Sequence, residues 1–417
     1  MRRRTTRLAA AAALTTITAL GLTACGSGFS EGSGAASDGA LTSSDDSLTV
    51  LIGSSGDAET KAVTDAVASW SDDSGTGAEV SVASDLPQQL SQGFASGKPA
   101  DVFYVSTDTL AGFAGNGSLL AYGDQLANKG DFFPTLVDSF TLDDQFYCAP
   151  KDFSTLGLII NTDMWAAAGL TDADVPTDWD SLKAVAAKLT TADHVGLAFS
   201  PEYARVGAFM AQAGGAVTNA DGTEATLDSS ENVEALTYVK DLLTSGDAAF
   251  SSDLGAGWGG EAFGTGKAAM TIEGNWITGA LTNDYPDVSY QVAELPAGPG
   301  GQGTLQFTNC WGIAADSPNQ QAAVDLVEQL TSTDQQLAFA DAFGVMPSIQ
   351  SAADTWKSDN PDQAAFLDSV EFAQGTPTQD GSAAVISDFN SQLSGLKDGD
   401  PKTILESAQK NFEAILQ

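Results

Sequence analysis

Histidine occurs once, at His194, and cysteine only three times. The lone histidine sits just before an apolar run, so neither a metal centre nor a histidine-based nucleophilic triad has its parts, and no cofactor is expected. Basic residues are equally scarce: 17 Lys and Arg face 55 Asp and Glu, a net charge of −38. That balance argues against nucleic acid as a partner, because the surface repels phosphate, and it leaves neutral or cationic ligands. After residue 7 the only arginine is Arg205. A phosphate-binding loop is missing too, since the turn Gly53-Ser54-Ser55-Gly56-Asp57 lacks the Gly-Lys-Ser/Thr ending.

Long apolar runs are confined to Leu8–Leu22, which is short and rich in small residues for a membrane span. Arg2, Arg3, Arg4 and Arg7 precede it and Leu22-Thr23-Ala24-Cys25 follows, the pattern of an export leader. Those last four residues resemble the bacterial lipobox, which makes Cys25 the expected lipidated N-terminus. The Gly, Ser, Asp and Ala of residues 26–47 cannot build a core and read as a flexible tether. Contact with the membrane is expected only through this lipid. Cys148 and Cys310 remain, either as a disulfide in an oxidising compartment or as two buried thiols; spacing alone does not choose.

At 417 residues the chain exceeds one ordinary core and suits two lobes. Leu48–Ile52 reads as a buried strand, followed by a turn and a helix with Val63, Val67 and Trp70 on one face. A strand near Glu79–Ala83, a helix over Pro87–Ser96 and a strand Asp101–Val105 complete a β-α-β-α-β series, hence parallel strands with right-handed crossovers. Asp57 and Asp108 then fall at one sheet edge. Phe146–Pro150 and Leu156–Ile160 read as two strands around a polar Lys151–Thr155, a crossing between lobes, and Thr304–Ala314 as the return crossing. Thr177 with Asp180, and Thr333 with Gln336, read as capping boxes. Tyr203 and Arg205 open a helix that ends at Gly214-Gly215.

The densest stretch is Glu261–Trp276. Phe263 closes a helix turn, Gly264 and Gly266 permit a reversal, and Lys267 starts an alternating strand through Met270 and Ile272. It runs into Gly274-Asn275-Trp276. A large ring just after a strand-end glycine is better placed to line a cleft than to fill a core, although a buried aromatic is the plain alternative.

Five segments in order resemble one family: Lys98–Phe103, Gly157–Asp163, Thr177–Asp180, Gly266–Trp276 and Phe343–Pro347. The family is the extracellular solute-binding proteins of bacterial ABC transporters, in the branch that includes maltose-binding protein. The likeness covers nearly all of the mature chain. It implies a two-lobed, periplasmic-binding-protein-like (type II) α/β fold, each lobe a mostly parallel sheet flanked by helices. It places the first lobe over 48–149 and 312–331, the second over 154–308 and 335–417, and hinges near 150–153, 309–311 and 332–334. The implied function is capture of a sugar between the lobes and delivery to separate membrane permease subunits, by a non-enzymatic, lipid-anchored monomer on the outer face of the bacterial cytoplasmic membrane.

The resemblance maps the first ligand loop onto Asp57, the acid after the third strand onto Asp108, the stacking tryptophan onto Trp276 and a hinge-adjacent loop onto Lys151, Asp152 and Phe153. Tyr203 and Arg205 fall where the family has helix-start contacts. A sugar has an apolar C–H face and a hydroxyl rim. Trp258, Trp276, Trp311 and Tyr203 supply flat faces, and Asp57, Asp108, Asp152, Asn275 and Asn309 supply rim partners, with Arg205 as a planar fork. Acids beside aromatics also describe glycoside hydrolase clefts. A polyamine would suit the acidity, and Arg205 leaves room for a glycerol phosphate.

Overall fold

The computed structural model describes residues 40–416, so Cys25, the leader and most of the expected tether lie outside the described residues. The tether's last residues are not loose. Leu41 packs against an apolar core, Thr42 donates its backbone N–H to Gln320 Oε1 at 3.0 Å, and Asn319 Nδ2 donates to Asp46 O at 3.1 Å. No described helix is long and apolar enough to cross a membrane.

The first part of the chain follows the expected alternation: β1 (Leu48–Ile52), α1 (Asp57–Ser74), β2 (Ala78–Val82), α2 (Leu86–Ala95), β3 (Val102–Ser106) and α3 (Thr107–Gly115). In α1 the buried side chains Val63, Val67 and Trp70 recur at helical spacing, and Gly75 stops the helix in the left-handed region at φ 76°. After α4 (Pro134–Ser139), the hairpin β4 (Thr141–Leu142) and β5 (Gln145–Phe146) leads into β6 (Ala149–Asn161). Here the expectation of two strands around a polar segment fails. β6 is one strand of 13 residues, every one of them buried, because its polar side chains find partners inside the molecule.

The next stretch holds α5 (Thr162–Ala167), α6 (Trp179–Leu189), β7 (Val195–Phe199), α7 (Tyr203–Ala213), α8 (Ser230–Ser245), β8 (Ala248–Phe250), α9 (Gly259–Gly264), β9 (Ala268–Gly274), α10 (Trp276–Asp284) and β10 (Tyr290–Ala293). The cap of α6 is Asp178 paired with Ser181, one residue beyond the expected box, and Trp179, Leu182, Val185 and Leu189 form its buried stripe. β11 (Thr304–Ile313) is the return strand, and α11 (Gln320–Leu330), α12 (Thr333–Phe343), α13 (Ala353–Asp359), α14 (Ala364–Asp368), β12 (Ala373–Gln374), α15 (Ser382–Leu393) and α16 (Pro401–Ile415) complete the chain.

One sheet runs through both lobes in the order β2-β1-β3-β11-β6-β9-β7-β8. Its two ends are parallel, β1 with β2 and β3, and β7 with β8 and β9. The middle is antiparallel, because β11 and β6 pass between the lobes in opposite senses: β11 pairs with β3 on one side and β6 on the other, and β6 goes on to pair with β9. Each end has its own apolar core. One gathers Val50, Phe103, Phe140, Trp311, Leu326 and Phe339, the other Leu158, Trp179, Phe209, Met270, Phe389 and Phe412.

The assignment of 335–417 to the second lobe does not hold at its beginning. Phe339, Ile349 and Ala352 are buried in the first core, together with Val63 of α1. Gln336 is not a cap either: its Nε2 donates to Lys151 O at 2.8 Å, and its Oε1 accepts from Ser348 N at 2.8 Å, which ties α12 to β6. Cys148 and Cys310 are joined as a disulfide, with Cα atoms 5.6 Å apart, at the first-lobe end of the crossing strands.

Candidate functional site

Strand register builds the floor of the site. Asn309 lies opposite Ser106 of β3 and Asp152 of β6, and a bulge between Asn309 and Cys310 shifts the pairing at that point. Phe307, two residues earlier on β11, points to the same side as Asn309, and Trp276 packs against it with ring centroids 5.5 Å apart at 75°. Thus Asp152, Asn309, Phe307 and Trp276 form a row across the crossing strands.

At the first-lobe end of the row is a buried polar group centred on Lys151. Its Nζ donates to Glu59 Oε1 at 3.1 Å and to Asp152 Oδ2, and it lies 4.6 Å from the centre of the Tyr104 ring. Glu59 also accepts from Ser55 N and Ser55 Oγ, both at 2.7 Å, and from Tyr104 Oη at 2.9 Å. Burial pushes the Glu59 carboxyl up, but Lys151 and the Ser55 donors outweigh it and hold it below the usual range. Asp152 is pushed up by burial, which the Lys151 charge only partly offsets. Burial disfavours the Lys151 ammonium, yet Asp152 and Glu59 together hold it above its ordinary value. With two carboxylates to one ammonium, Asp152 is the group that gains most from a further hydrogen-bond donor.

At the second-lobe end stands Trp276, 38% exposed; among the described residues it and Val82 are the exposed large apolar side chains. Its indole lies back across Gly274: a Cβ there would come within 2.2 Å of Trp276 Cζ3. Trp276 Nε1 donates to Glu273 Oε2 at 3.1 Å, and the Arg205 guanidinium, 5.3 Å from the ring centroid, also reaches Glu273 Oε2. Glu202 is a more distant partner of Arg205, at 3.5 Å. Glu273 is fully buried; burial raises its carboxyl, opposed by Arg205 and the indole N–H.

The remaining candidates divide. Asp108 and Tyr203 line one cavity of about 320 Å³ with Thr107, Pro377 and Asn390, although Tyr203 itself is mostly buried. Ser106 Oγ donates to Asp108, which is exposed. Asp57 is exposed at the first position of α1, whose cap is Gly56. Trp258 is half-buried, folded over Gly260 and packed against an apolar group beneath the crossing strands.

Three expectations are overturned by packing. Trp311 is 1% exposed and offers no face, because it packs edge-on to Tyr104 in the first core. Phe153 is buried against Phe133, on the opposite side of β6 from Asp152. Asn275 is a bracket: its Nδ2 donates to Gly344 O at 2.8 Å and its N–H to Ser154 Oγ at 3.0 Å. A larger cavity, about 590 Å³, touches only Tyr203 among the candidates. It shares Tyr203, Thr376 and Pro377 with the Asp108 cavity, and the carbonyl of its lining residue Thr135 accepts from Gln306 Nε2 at 2.7 Å. Glu59 and Glu273 were missed by sequence reasoning, since an acid in a first helical turn reads as a dipole partner and an acid at a strand end as solvated.

The family model described as bacterial extracellular solute-binding protein matches residues 31–365. The chain belongs to this family. A binding protein of Brucella abortus is 26% identical to this solute-binding protein over 349 residues, 80% of this chain and 83% of that one. The diacetylchitobiose binding protein DasA of Streptomyces coelicolor is 24% identical over 289 residues, 67% of this chain and 68% of its own. Among solved structures, the cyclic alpha-maltosyl-1,6-maltose binding protein from Arthrobacter globiformis superposes with a TM-score of 0.78 at 21% identity, covering 89% of this chain and 98% of that one. That likeness shows the two-lobed fold.

Proposed function

We propose that this solute-binding protein captures a sugar or oligosaccharide between its lobes, without chemistry, and delivers it to the membrane subunits of an ABC importer. The observation that carries the reading is the exposed Trp276 ring, held flat across Gly274 at the end of a row of polar groups, Asn309 and Asp152, on the crossing strands. An indole face suits the C–H face of a pyranose, and the carboxylate and amide suit its hydroxyls. The relatives named for diacetylchitobiose and for a cyclic maltosyl-maltose support the same class. Asp57, Asp108, Tyr203 and Arg205 complete the proposed contacts, and Trp258 lies at their margin.

A ligand touching both lobes favours the closed arrangement by its differential affinity, and that arrangement is the one the importer reads. Lipid attachment at Cys25 on the outer face of the membrane, and a monomeric state, belong to the same proposal. The test is calorimetry of the full chain against malto- and chito-oligosaccharides, with Trp276→Ala beside it. The variant is expected to lose about 1–3 kcal/mol of binding with its melting temperature nearly unchanged. Equal affinity in both proteins removes Trp276 from the site, and no response to any neutral saccharide removes the sugar reading.

A further inference from the structure

We infer that Glu273 is the positioning residue of the Trp276 platform, and that its charge neutralises Arg205 so that the platform takes an uncharged ring and turns anions away. The inference rests on Trp276 being the ligand platform proposed above.

The geometry places two donors from different elements on one carboxylate oxygen. Arg205, in the first turn of α7, and the Trp276 indole N–H, at the first position of α10, both reach Glu273 Oε2 at the end of β9. A tryptophan more than a third exposed would otherwise be free to choose among side-chain rotamers. Here the indole is held by Glu273 at its nitrogen, by the Gly274 backbone beneath its six-membered ring and by the edge contact with Phe307. The carboxylate is itself confined. A Cβ at Gly259 would lie 2.7 Å from Glu273 Oε1 and 2.6 Å from Thr271 Oγ1, so the start of α9 is pressed against both atoms. Glu273 Oε1 and Thr271 Oγ1 find no hydrogen-bond partner among the described residues, which leaves Oε2 as the working atom of the group.

The charges follow from the same contacts. Arg205 would be the natural anchor for a carboxylated or phosphorylated ligand, but its guanidinium already faces Glu273 and, at 3.5 Å, Glu202. Two carboxylates around one guanidinium leave the platform on the negative side of neutral. Lys151, at the far end of the row, is likewise outnumbered by Glu59 and Asp152. Neither cation is therefore free to receive an anion. A neutral saccharide, which uses the ring face and single hydrogen bonds, is not penalised.

The experiment needs no sugar, so its outcome is separate from the fate of the proposed function. In the full chain, the Trp276 indole N–H is assigned in a 15N-tryptophan spectrum by its loss in Trp276→Phe. Quenching of Trp276 fluorescence, taken as the difference from that variant, is measured with acrylamide, iodide and caesium. Glu273→Gln keeps the acceptor and removes the charge, whereas Glu273→Leu removes both. The indole signal is expected to stay close to its wild-type position in the Gln variant and to move in the Leu variant, with easier acrylamide quenching. Iodide quenching relative to caesium is expected to rise about threefold or more in the Gln variant, the size of effect one unit charge exerts over several ångströms near a surface. An unmoved indole signal and unchanged acrylamide quenching in the Leu variant overturn the positioning role. Should that variant not fold, a Gln variant with a displaced indole signal overturns it instead. An unchanged iodide-to-caesium ratio in the Gln variant overturns the role of the charge.

Discussion

Replacing Lys151 by methionine keeps most of the side chain's length and removes its charge from between Glu59 and Asp152. Both carboxylates reach the one ammonium, Glu59 at 3.1 Å and Asp152 closer, and both residues are less than a tenth exposed. Without it they face each other with no counter-charge, and loss of one partner from a buried ion pair generally costs about 3–5 kcal/mol. Glu59 keeps its donors from Ser55 and Tyr104, so Asp152 bears most of the loss.

The pH dependence follows with a definite sign. In the wild type, Glu59 is depressed from 4.5, so its contribution is complete above that value and is lost as pH falls through the folded pKa. Lys151 is raised from 10.5, so its contribution is complete below that value and is lost as pH rises through the folded pKa. Asp152, raised from 3.8, acts against Glu59 in the acid range. In Lys151→Met the Asp152 carboxyl loses the charge that offset its burial, so it is raised further; stability is highest in acid and falls as pH rises above 3.8 towards the folded pKa. Urea denaturation at pH 8 should show a loss of about 3–5 kcal/mol, and part of that loss should return at pH 5. A loss below about 1 kcal/mol, or one of equal size at both pH values, refutes the reasoning.

Gly274→Ala is expected to expel the indole from its bed, because the new Cβ would sit 2.2 Å from Trp276 Cζ3; tryptophan emission should shift and oligosaccharide affinity should fall by about tenfold. Unaltered emission in that variant contradicts the packing described. Tyr104→Phe deletes the donor at 2.9 Å to Glu59 and should cost about 1.5–3 kcal/mol in the same urea assay, the worth of a hydrogen bond to a charged group. Reduction of the disulfide, which joins residues 162 apart in sequence, should cost about 2–5 kcal/mol. Two reactive thiols in denatured, unreduced Cys25→Ala protein would rule the bond out.

The elements were legible wherever one face of a segment met one core. The stripe of α1 and the βαβ series of the first lobe follow from period and punctuation, and Trp276 stands out because a glycine precedes it at a strand end. What stayed hidden depended on partners far along the chain. Lys151–Thr155 reads as a polar break between two strands, but Glu59 and Gln336 satisfy Lys151 from 92 and 185 residues away, and the segment is buried strand. Trp311 reads as a ligand face only while Tyr104 is not known to cover it. Glu273 is silent in the sequence, because only the fold brings α7 and α10 to one oxygen.

The route of the crossing strands also bears on how the protein is made. The first core combines β1–β3 with Ile313, Leu326, Phe339 and Ile349, so a growing chain that has released 300 residues still cannot close the lobe it began with. The second core waits in the same way for Phe389 and Phe412. Neither lobe is available as a folding unit before these late segments have been made, and contacts of such long range form slowly. For a member of an extracellular family, that delay leaves the polypeptide unfolded, and so able to thread a narrow channel, until the segments from Ile349 to Phe412 have been added.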